Sequence, residues 1–468
     1  MTRSPRPTPL PAVAEQLPAL HPHASGMDIG SNDIVVAVPP DRDPEPVRVF
    51  RTFTTDLHAL VAWLATCQID TVALESTGVY WIPIDELLEQ HGIRPCLVNA
   101  RSVKMVPGRK SDWNDAQWLQ KLHAWGLLRA SFRPDGQIAA LRTLVRYRAE
   151  LIQHRAPHVL HMQRALQQMN IQLERVISNI MGHTGQAILR AIVAGERDPV
   201  VLAQFRNPAC KATTDTIAKA LTGTWKEELL VVLQQSLTIY DAYTAQLAVC
   251  DTHIETYLAA MESRTEDPAA PLPDLPATKP KSKSRNGPAF NARAQYARLV
   301  GVDLVAVMGL SGSSVQTIIS EIGTDMSRFP TVKQFCSWLG LVPRNDISGG
   351  KVLRSRTRKT TNRATQAFCQ AAQSVIRTDS ALGAYYRAMR ARKGPQQAIV
   401  ATAHKLARIV YHLLKYGEAY EVQLAAAYDE QRQARELRSL TKRATTLGYT
   451  LTPVEGTGAD RVSQPAGG

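Results

Sequence analysis

Short apolar runs alternate with amphipathic segments between residues 27 and 138. β-Branched residues between polar breaks predict strands at GMDIGSNDIVVAVP, VRVFRTF, IDTVALES and IRPCLVN. Helical spacing is found in DLHALVAWLATC, in WIPIDELLEQHG, which should end at Gly92, and in DAQWLQKLHAWGLL. This alternation predicts an α/β domain in which helices cover a sheet.

Long helical patterns replace the strands over residues 139–261. ALRTLVRYRAELIQHR and HVLHMQRALQQMNIQLERVI predict two amphipathic helices separated by Pro157, because proline is disfavoured inside a helix. A third helical run begins at WKEELL, near Trp225. Such helices commonly pack as an antiparallel hairpin or coiled coil and often carry oligomerisation, although an ordinary helical subdomain would give the same pattern.

Changes in composition mark the other boundaries. Residues 1–26 are rich in proline and are predicted to be a disordered tail without the apolar core of a signal peptide. Residues 262–290 combine Pro, Lys and Ser and are predicted to be a linker or disordered loop. A second unit, mostly helical, is predicted over residues 291–425, and a polar tail over residues 426–468. The most apolar window contains Asp303 and several serines, so no membrane span is predicted.

The charge balance indicates a polyanionic partner. The 468 residues include 55 Lys and Arg against 41 Asp and Glu, a formal charge of +14. Neutralising phosphates would release condensed counterions and favour binding, although a solvated basic surface would give the same balance. The six cysteines are scattered, without zinc-ligand spacing, which is typical of reduced thiols in a cytosolic protein.

Four carboxylates stand where predicted elements begin or end. Asp28 lies in the first strand, Glu75 ends a later strand, and Asp112 and Asp115 open a helix three residues apart, so that they can face one point. Clustered carboxylates repel one another unless a cation joins them, and oxygen ligands favour Mg²⁺ or Mn²⁺. Two such ions could stabilise the attacking and leaving oxygens of a phosphate displacement.

Each acid also has a plainer explanation when it is considered alone. Asp28 could cap a turn, Asp112 could cap the helix N-terminus, and Asp115 could interact with the helix dipole. Glu75 is harder to explain in this way, because the exit of a buried strand is where α/β sheets commonly bind ligands.

Basic residues surround a serine in the second half. Ser348 precedes Gly349 and Gly350 and is expected on an exposed turn, where spacing alone would make it a turn residue. The predicted nucleic-acid contacts are Arg109 and Lys110, and, near the serine, Arg344, Lys351, Arg354, Arg356, Arg358, Lys359 and Arg363.

Three motifs together resemble a known family. MDIGSNDIVVAV, ALESTGVYWIPI and GRKSDWNDAQWL resemble the acidic motifs of the DEDD transposases of bacterial insertion sequences, in the IS-one-ten family and its IS-eleven-eleven branch. The order D, E, D, D matches Asp28, Glu75, Asp112 and Asp115. In the second half, LGLVPRNDISGGK resembles the motif of the family's C-terminal transposase domain. The resemblance extends from residue 27 to about residue 425.

The resemblance implies a fold and a mechanism. It implies an RNase H-like (RuvC-like) DEDD domain over residues 27–138, whose four acids bind Mg²⁺ or Mn²⁺. It implies that Ser348 attacks a DNA phosphate and forms a covalent intermediate, whereas Ser311, Ser313, Ser314 and Ser355 align less well. The partners implied are DNA at the element ends and at the target, a noncoding guide RNA, and further copies of the chain in a dimer or tetramer. A cytoplasmic, nucleoid-associated bacterial protein is expected.

Other enzyme classes share part of this pattern. A RuvC-like Holliday-junction nuclease would need only the N-terminal half and would cleave DNA by hydrolysis, without a serine adduct. Actin-like kinases also begin with DIGS, but the second phosphate turn that they need is matched only by Asp135-Gly136, which lacks a preceding strand. A noncatalytic DNA-binding protein is a third alternative.

Overall fold

The computed structural model describes residues 18–75, 78–98, 112–265, 271–275, 285–421 and 424–452. By the distribution of its internal contacts the chain divides into two units, residues 1–133 and residues 134–468. Among the described residues, no helix combines the length and the apolar character needed to cross a membrane.

The first unit contains a mixed five-stranded sheet. Its strands are β1 (Ala24–Ile29), β2 (Asp33–Ala37), β3 (Val47–Arg51), β4 (Thr71–Glu75) and β5 (Arg94–Val98), in the spatial order β3-β2-β1-β4-β5. β2 is antiparallel to β1 and β3, whereas β4 is parallel to β1 and β5. The predicted α/β character of this region is confirmed.

One strand prediction was wrong in detail. GMDIGSNDIVVAVP forms the two antiparallel strands β1 and β2 rather than one strand, because the chain turns back at Gly30. The amide of Gly30 donates a hydrogen bond to the carbonyl of Asp33 at 2.9 Å, which closes the turn. The polar turn is short and has apolar residues on both sides, so the sequence pattern predicts a single strand.

Helices cover both faces of the sheet. They are α1 (Thr54–Thr66), α2 (Trp81–Gln90) and α3 (Asp112–Ala124). Met27 and Ile29 of β1 pack in one cluster with Leu60 of α1 and Ile84 of α2. α3 lies on the opposite face, where Ala116 is fully buried. The strands therefore had to be apolar on both sides, which explains their continuous apolar runs.

A helical hairpin begins the second unit. It consists of α4 (Gly136–Gln168) and, after a group of shorter helices, α9 (Glu227–Ala260). Arg148 of α4 and Asp251 of α9 form a buried ion pair, with nitrogen–oxygen distances of 2.5 and 3.0 Å.

The predicted helix break at Pro157 was wrong. α4 continues through Pro157, which is exposed within the helix. A proline in this position removes one backbone hydrogen bond and costs about 3 kcal/mol. Residues on both sides of it are nevertheless held by tertiary contacts: Arg148 pairs with α9 before the proline, and Met162 is fully buried after it. Tertiary packing therefore overrides the local preference.

The shorter helices between the two arms have a core of their own. They are α5 (Leu173–Val176), α6 (His183–Val193), α7 (Pro199–Ala203) and α8 (Thr214–Leu221). Ile188, Leu202 and Ile217 are fully buried in this core, together with Met162 of α4 and Leu233 of α9. The sequence pattern indicated only a polar interval here.

The C-terminal part of the second unit is mostly helical, as predicted. Its helices are α10 (Ala292–Val300), α11 (Gly312–Ile322), α12 (Val332–Trp338), α13 (Arg363–Ser374), α14 (Ala381–Lys393), α15 (Pro395–Tyr416) and α16 (Ala425–Thr446), with 3-10 turns at Leu304–Ala306 and Met326–Arg328. Between α12 and α13 the chain forms an antiparallel hairpin of β6 (Pro343–Ser348) and β7 (Lys351–Thr357), which the sequence pattern did not predict.

Candidate functional site

Two of the four predicted acids lie side by side in the sheet. Asp28 of β1 and Glu75 of β4 are register partners in neighbouring parallel strands. Parallel strands present their carboxyl ends at one edge, so the two carboxylates belong to the same edge and the same face. Both side chains are half-buried. The sequence predicted each position, but only the pairing of β1 with β4 makes them neighbours.

A glycine brings helix α3 against this face of the sheet. A Cβ atom built at Gly26 would lie 2.2 Å from the amide nitrogen of Gln120 and 2.3 Å from the carbonyl oxygen of Ala116. The Gln120 side chain also donates a hydrogen bond to the carbonyl of Ala24 at 3.2 Å. Side chains alternate along a strand, so the face that α3 contacts at Ala24 and Gly26 is the face of Asp28.

The direction of α3 determines which of its ends approaches the acids. The C-terminal end of α3 lies at the start of the strands: the carbonyl of Ala124 accepts a hydrogen bond from the amide of His21, just before β1, and His123 contacts Thr71 at the start of β4. Ala116, which comes earlier in the helix, lies against Gly26 within β1, so the helix runs antiparallel to β1. Its N-terminus therefore points towards the edge that carries Asp28 and Glu75. Asp112 is the first residue of α3, and Asp115 is half-buried one turn later.

The structure describes only part of the predicted acidic set. The Asp112 side chain lies outside the described residues, as do Arg109 and Lys110 entirely. Within the described part of the chain, no three His, Cys, Asp or Glu side chains are grouped closely enough to hold a metal ion. The four-acid site therefore stays a prediction, in which Asp28, Glu75 and the N-terminus of α3 share one edge of the sheet.

The opposite end of α3 contains a histidine with a perturbed pKa. Burial lowers the pKa of His123 to about 4, and the neighbouring His21 and Arg94 contribute to the decrease. Its Nε2 lies 2.9 Å from the hydroxyl of Thr71, at the start of β4. His123 is thus a buried neutral side chain at the end of the sheet away from Glu75, and it supports the packing of α3.

Ser348 lies at the tip of the β6–β7 hairpin. It is the last residue of β6 and is paired with Lys351 across a two-residue turn. Gly349 and Gly350 both have positive φ, at 53° and 75°, which is the requirement of a type I′ turn. Every residue of both strands is exposed. The predicted exposed turn is therefore the turn of a β-hairpin.

The hairpin register collects basic side chains on the face of the serine. Asp346 pairs with Arg354 and Ser348 pairs with Lys351, with an irregularity between Asp346 and Ile347 that leaves Leu353 unmatched. Because faces alternate along a strand, the members of one face are Arg344, Asp346, Ser348, Lys351, Arg354 and Arg356. This face places Lys351 directly across from Ser348 and carries three further cations and one carboxylate along the same ribbon.

Two of the predicted nucleic-acid contacts already have protein partners. Arg358 donates to the carbonyl of Trp338 at 3.2 Å. Arg363 lies 3.7 Å from the Glu150 carboxylate, in an ion pair with α4. Lys359, between them, is exposed. Arg358 and Arg363 thus help to fix the segment after the hairpin, whereas the other basic residues of the hairpin face solvent.

The other serine candidates have different surroundings. The Ser311 hydroxyl accepts a hydrogen bond from the amide of Ser314 at 3.2 Å and caps α11, while Ser313 lies in the first turn of that helix. Ser355 pairs with Asn345 on the opposite face of the hairpin from Ser348. Of these serines, Ser348 alone shares a face with Lys351 and Arg354.

The hairpin was the main feature that sequence reasoning missed. A Gly-Gly pair between two extended segments is a known hairpin signal, so the information was present. The usual apolar alternation is weak in PRNDIS and KVLRSRT because neither face is buried. Without that alternation the pattern indicates only a basic turn, and it gives no signal for Ile347, Val352 and Leu353.

Two family models match the chain. The model of the DEDD transposases of IS110, described as "Transposase", matches residues 25–171, and "Transposase IS116/IS110/IS902 family" matches residues 301–387. The first match includes the four predicted acids and the second includes Ser348.

A curated relative agrees with these matches. A "Probable family 20 transposase" from Pseudomonas aeruginosa is 31% identical over 123 residues, which is 25% of this chain and 36% of the relative. The match thus spans about a third of that relative's length. The narrower IS-eleven-eleven branch stays a prediction. Two transposase models that match separate segments, supported by this relative, establish that the chain belongs to the IS110 family of transposases.

Proposed function

We propose that the protein is the recombinase of an insertion sequence, which cleaves and exchanges DNA strands through a serine–DNA phosphate intermediate. The observation that carries the proposal is the position of Ser348, at the tip of an exposed hairpin and on the face that holds Lys351, Arg354 and Arg356. A serine hydroxyl needs a base, a metal or a preorganised positive environment to act as a nucleophile.

The first unit supports a metal-dependent reaction. Its strand order, an antiparallel β3-β2-β1 ribbon continued by parallel β4 and β5, supports the RNase H-like assignment. Asp28, Glu75, Asp112 and Asp115 would hold Mg²⁺ or Mn²⁺, and the pairing of Asp28 with Glu75 fits a ligand set of hard oxygens. Such a cation, when bound, stabilises charge on the attacking and leaving oxygens of a phosphate.

The covalent step explains why strand exchange is possible. The Ser348 hydroxyl gives up its proton and its oxygen bonds to phosphorus as the bond from phosphorus to one DNA oxygen breaks. That DNA oxygen takes up a proton and leaves as a free hydroxyl, so a serine–DNA phosphodiester replaces the DNA phosphodiester. The hydroxyl of a second DNA end can then attack the same phosphorus, which rejoins the strand and releases Ser348 as a hydroxyl. Lys351, directly across the hairpin, and Arg354 would stabilise the negative charge of the phosphate during both steps.

The remaining assignments rest on the family and on charge. Element-end and target DNA are the proposed substrates, and the formal charge of +14 is compatible with a noncoding guide RNA as a further partner. A homo-oligomer is proposed from the long arms of the α4–α9 hairpin. A cytoplasmic, nucleoid-associated location is proposed from the DNA substrate. The predicted domain limits also remain proposals.

A denaturing gel tests the serine. The full-length protein is incubated with Mg²⁺ and labelled DNA that carries the element ends, and the reaction is stopped with detergent. We expect a covalent protein–DNA adduct that Ser348→Ala eliminates and that Ser355→Ala, on the opposite face of the same hairpin, retains. An adduct that survives in Ser348→Ala would sink the assignment of the nucleophile.

The same gel distinguishes the serine mechanism from that of a hydrolytic nuclease. A nuclease is the second candidate function because Asp28 and Glu75 both lie in the first unit, which such an enzyme could use alone. A nuclease would still cleave the DNA in Ser348→Ala and would form no adduct in the wild type. Asp115→Asn should reduce cleavage under either mechanism, since both need the acidic set. Undiminished cleavage by Asp115→Asn would remove that residue from the site.

A further inference from the structure

The hairpin carries an exposed apolar patch on the face opposite Ser348. Ile347 and Val352 are register partners one pair away from the turn, and Leu353 is the unmatched residue beside them. Their exposed fractions are 62%, 55% and 72%. We define these three side chains as the apolar tip of the hairpin.

The apolar tip has no role in folding the described part of this chain. Every residue of β6 and β7 is exposed, so neither face of the ribbon packs on a core. Isolated exposed apolar side chains are common, but a contiguous group on a projecting element usually marks an interaction surface. A hairpin that needed only to be soluble could have polar residues at these positions.

The charge around the tip argues for a nucleic acid as its occupant. The opposite face of the ribbon, which carries Ser348, holds Arg344, Lys351, Arg354 and Arg356 against Asp346. A second copy of the hairpin would bring the same positive face close to the first, and like charges at an interface oppose binding. A DNA duplex offers the opposite charge, and its major groove is wide enough to admit a two-stranded ribbon.

We propose that the hairpin is a two-faced DNA-reading ribbon. Its basic face contacts phosphates of one groove wall, and its apolar tip packs on the bases and sugars of the other. The inference rests on the proposed function for the choice of DNA as partner, and it adds a base-contacting surface to the phosphate-contacting residues. Ile347 precedes Ser348 directly, so seating the tip on the bases fixes the position of the serine along the strand.

The two faces can be separated by their dependence on salt. Binding to phosphates releases counterions, so the slope of log affinity against log salt changes by about 0.9 for each phosphate that a variant no longer neutralises. Packing of apolar side chains on bases releases no counterions. Removing the tip should therefore weaken binding at every salt concentration without changing the slope.

Fluorescence anisotropy with a labelled duplex of mixed sequence measures both quantities. The tip variant combines Ile347→Thr, Val352→Thr and Leu353→Thr, which keep residues suited to a strand. A charge variant combines Arg354→Gln and Arg356→Gln. The matched control combines Leu437→Gln and Leu440→Gln, because these leucines of α16 are 60% and 50% exposed.

The tip variant should bind the duplex about tenfold or more weakly, with the slope of the wild type. The charge variant should have a slope smaller in magnitude by about 2, and the control should bind as the wild type does. Wild-type affinity in the tip variant would overturn the inference. A tip variant whose binding weakens only through a changed slope of log affinity against log salt would also overturn the inference.

Two further outcomes are informative. Light scattering gives the mass of each variant in solution, and a changed oligomeric state with unchanged DNA affinity would assign the tip to a protein interface and overturn the inference. If the wild type itself binds no duplex, the proposed function fails and the inference fails with it. If the wild type binds the duplex and the tip variant binds it equally well, the inference about the hairpin is refuted and the proposed function is not.

Discussion

Replacing Gly26 with alanine is expected to move helix α3 away from the acidic edge of the sheet. The added Cβ would lie 2.2 Å from the Gln120 nitrogen and 2.3 Å from the Ala116 oxygen, whereas real Cβ atoms essentially never come closer than 3.0 Å. Both neighbours are backbone atoms, so no side-chain rotation can relieve the clash. The helix must retreat from β1 by about 0.8 Å, the difference between 3.0 and 2.2 Å.

The displacement has two separate consequences. Overpacking of this kind costs about 1–3 kcal/mol of folding free energy. The proposed ligands Asp112 and Asp115 move with α3, whereas Asp28 and Glu75 stay in the sheet. A displacement near 1 Å at a reacting centre can cost about 100-fold in rate. DNA cleavage should thus fall by about that factor even at temperatures where the variant remains folded.

Urea unfolding followed by circular dichroism gives the stability, and cleavage of labelled element-end DNA gives the rate. Gly136→Ala is the matched control, since a Cβ there meets nothing within 4 Å at the start of α4. We expect the control to match or exceed the wild type in stability and to cleave at the same rate. Wild-type stability and rate in Gly26→Ala would refute the close approach of α3, and reduced stability with full activity would refute the place of α3 in the site.

Two predictions concern stability alone. Pro157→Ala restores a backbone hydrogen bond inside α4 and should raise the free energy of unfolding by about 2 kcal/mol, measured in urea; a decrease would mean that the proline is required by the packing. His123 has a pKa lowered from 6.5 to about 4, so its unfolded form takes up protons more readily, and it contributes stability above pH 6.5 that is lost as the pH falls to 4. That loss should amount to about 2 kcal/mol after allowance for solvent screening. His123→Gln should lose correspondingly less stability over that range, and an unchanged pH profile in the variant would assign the effect to other groups.

Most strands of the sheet could be predicted from the sequence, but which strands lie beside one another could not. Apolar runs bounded by polar residues located β3, β4 and β5, and they placed Glu75 at a strand end. Which strand lies beside β4 is a nonlocal property, since β2, β3 and α1 intervene in sequence between β1 and β4. The pairing of Asp28 with Glu75 therefore came from topology, and the sequence supplied only the residue types.

Local preference failed where tertiary packing decided the structure. Pro157 predicts a break, yet α4 continues because its residues on either side are buried against other helices. The β6–β7 hairpin was not predicted for the opposite reason: its residues are all exposed, so burial imposes no alternation of apolar and polar residues on them. Its Gly-Gly turn was the remaining signal, and such a turn indicates a hairpin only when the flanking segments are recognised as extended.

The proposed catalytic residues stand on scaffolds of different rigidity. Asp28 and Glu75 belong to central strands that are covered on both faces, so their positions are set when the first unit folds. Ser348 belongs to a two-stranded ribbon without a packed face, and such ribbons are marginally stable in water. Binding of a ligand can therefore order the serine, whereas it can add little to the order of the acids. Substitutions beside Asp28 should accordingly change stability and activity together, while substitutions in the hairpin should change DNA binding and adduct formation at constant stability.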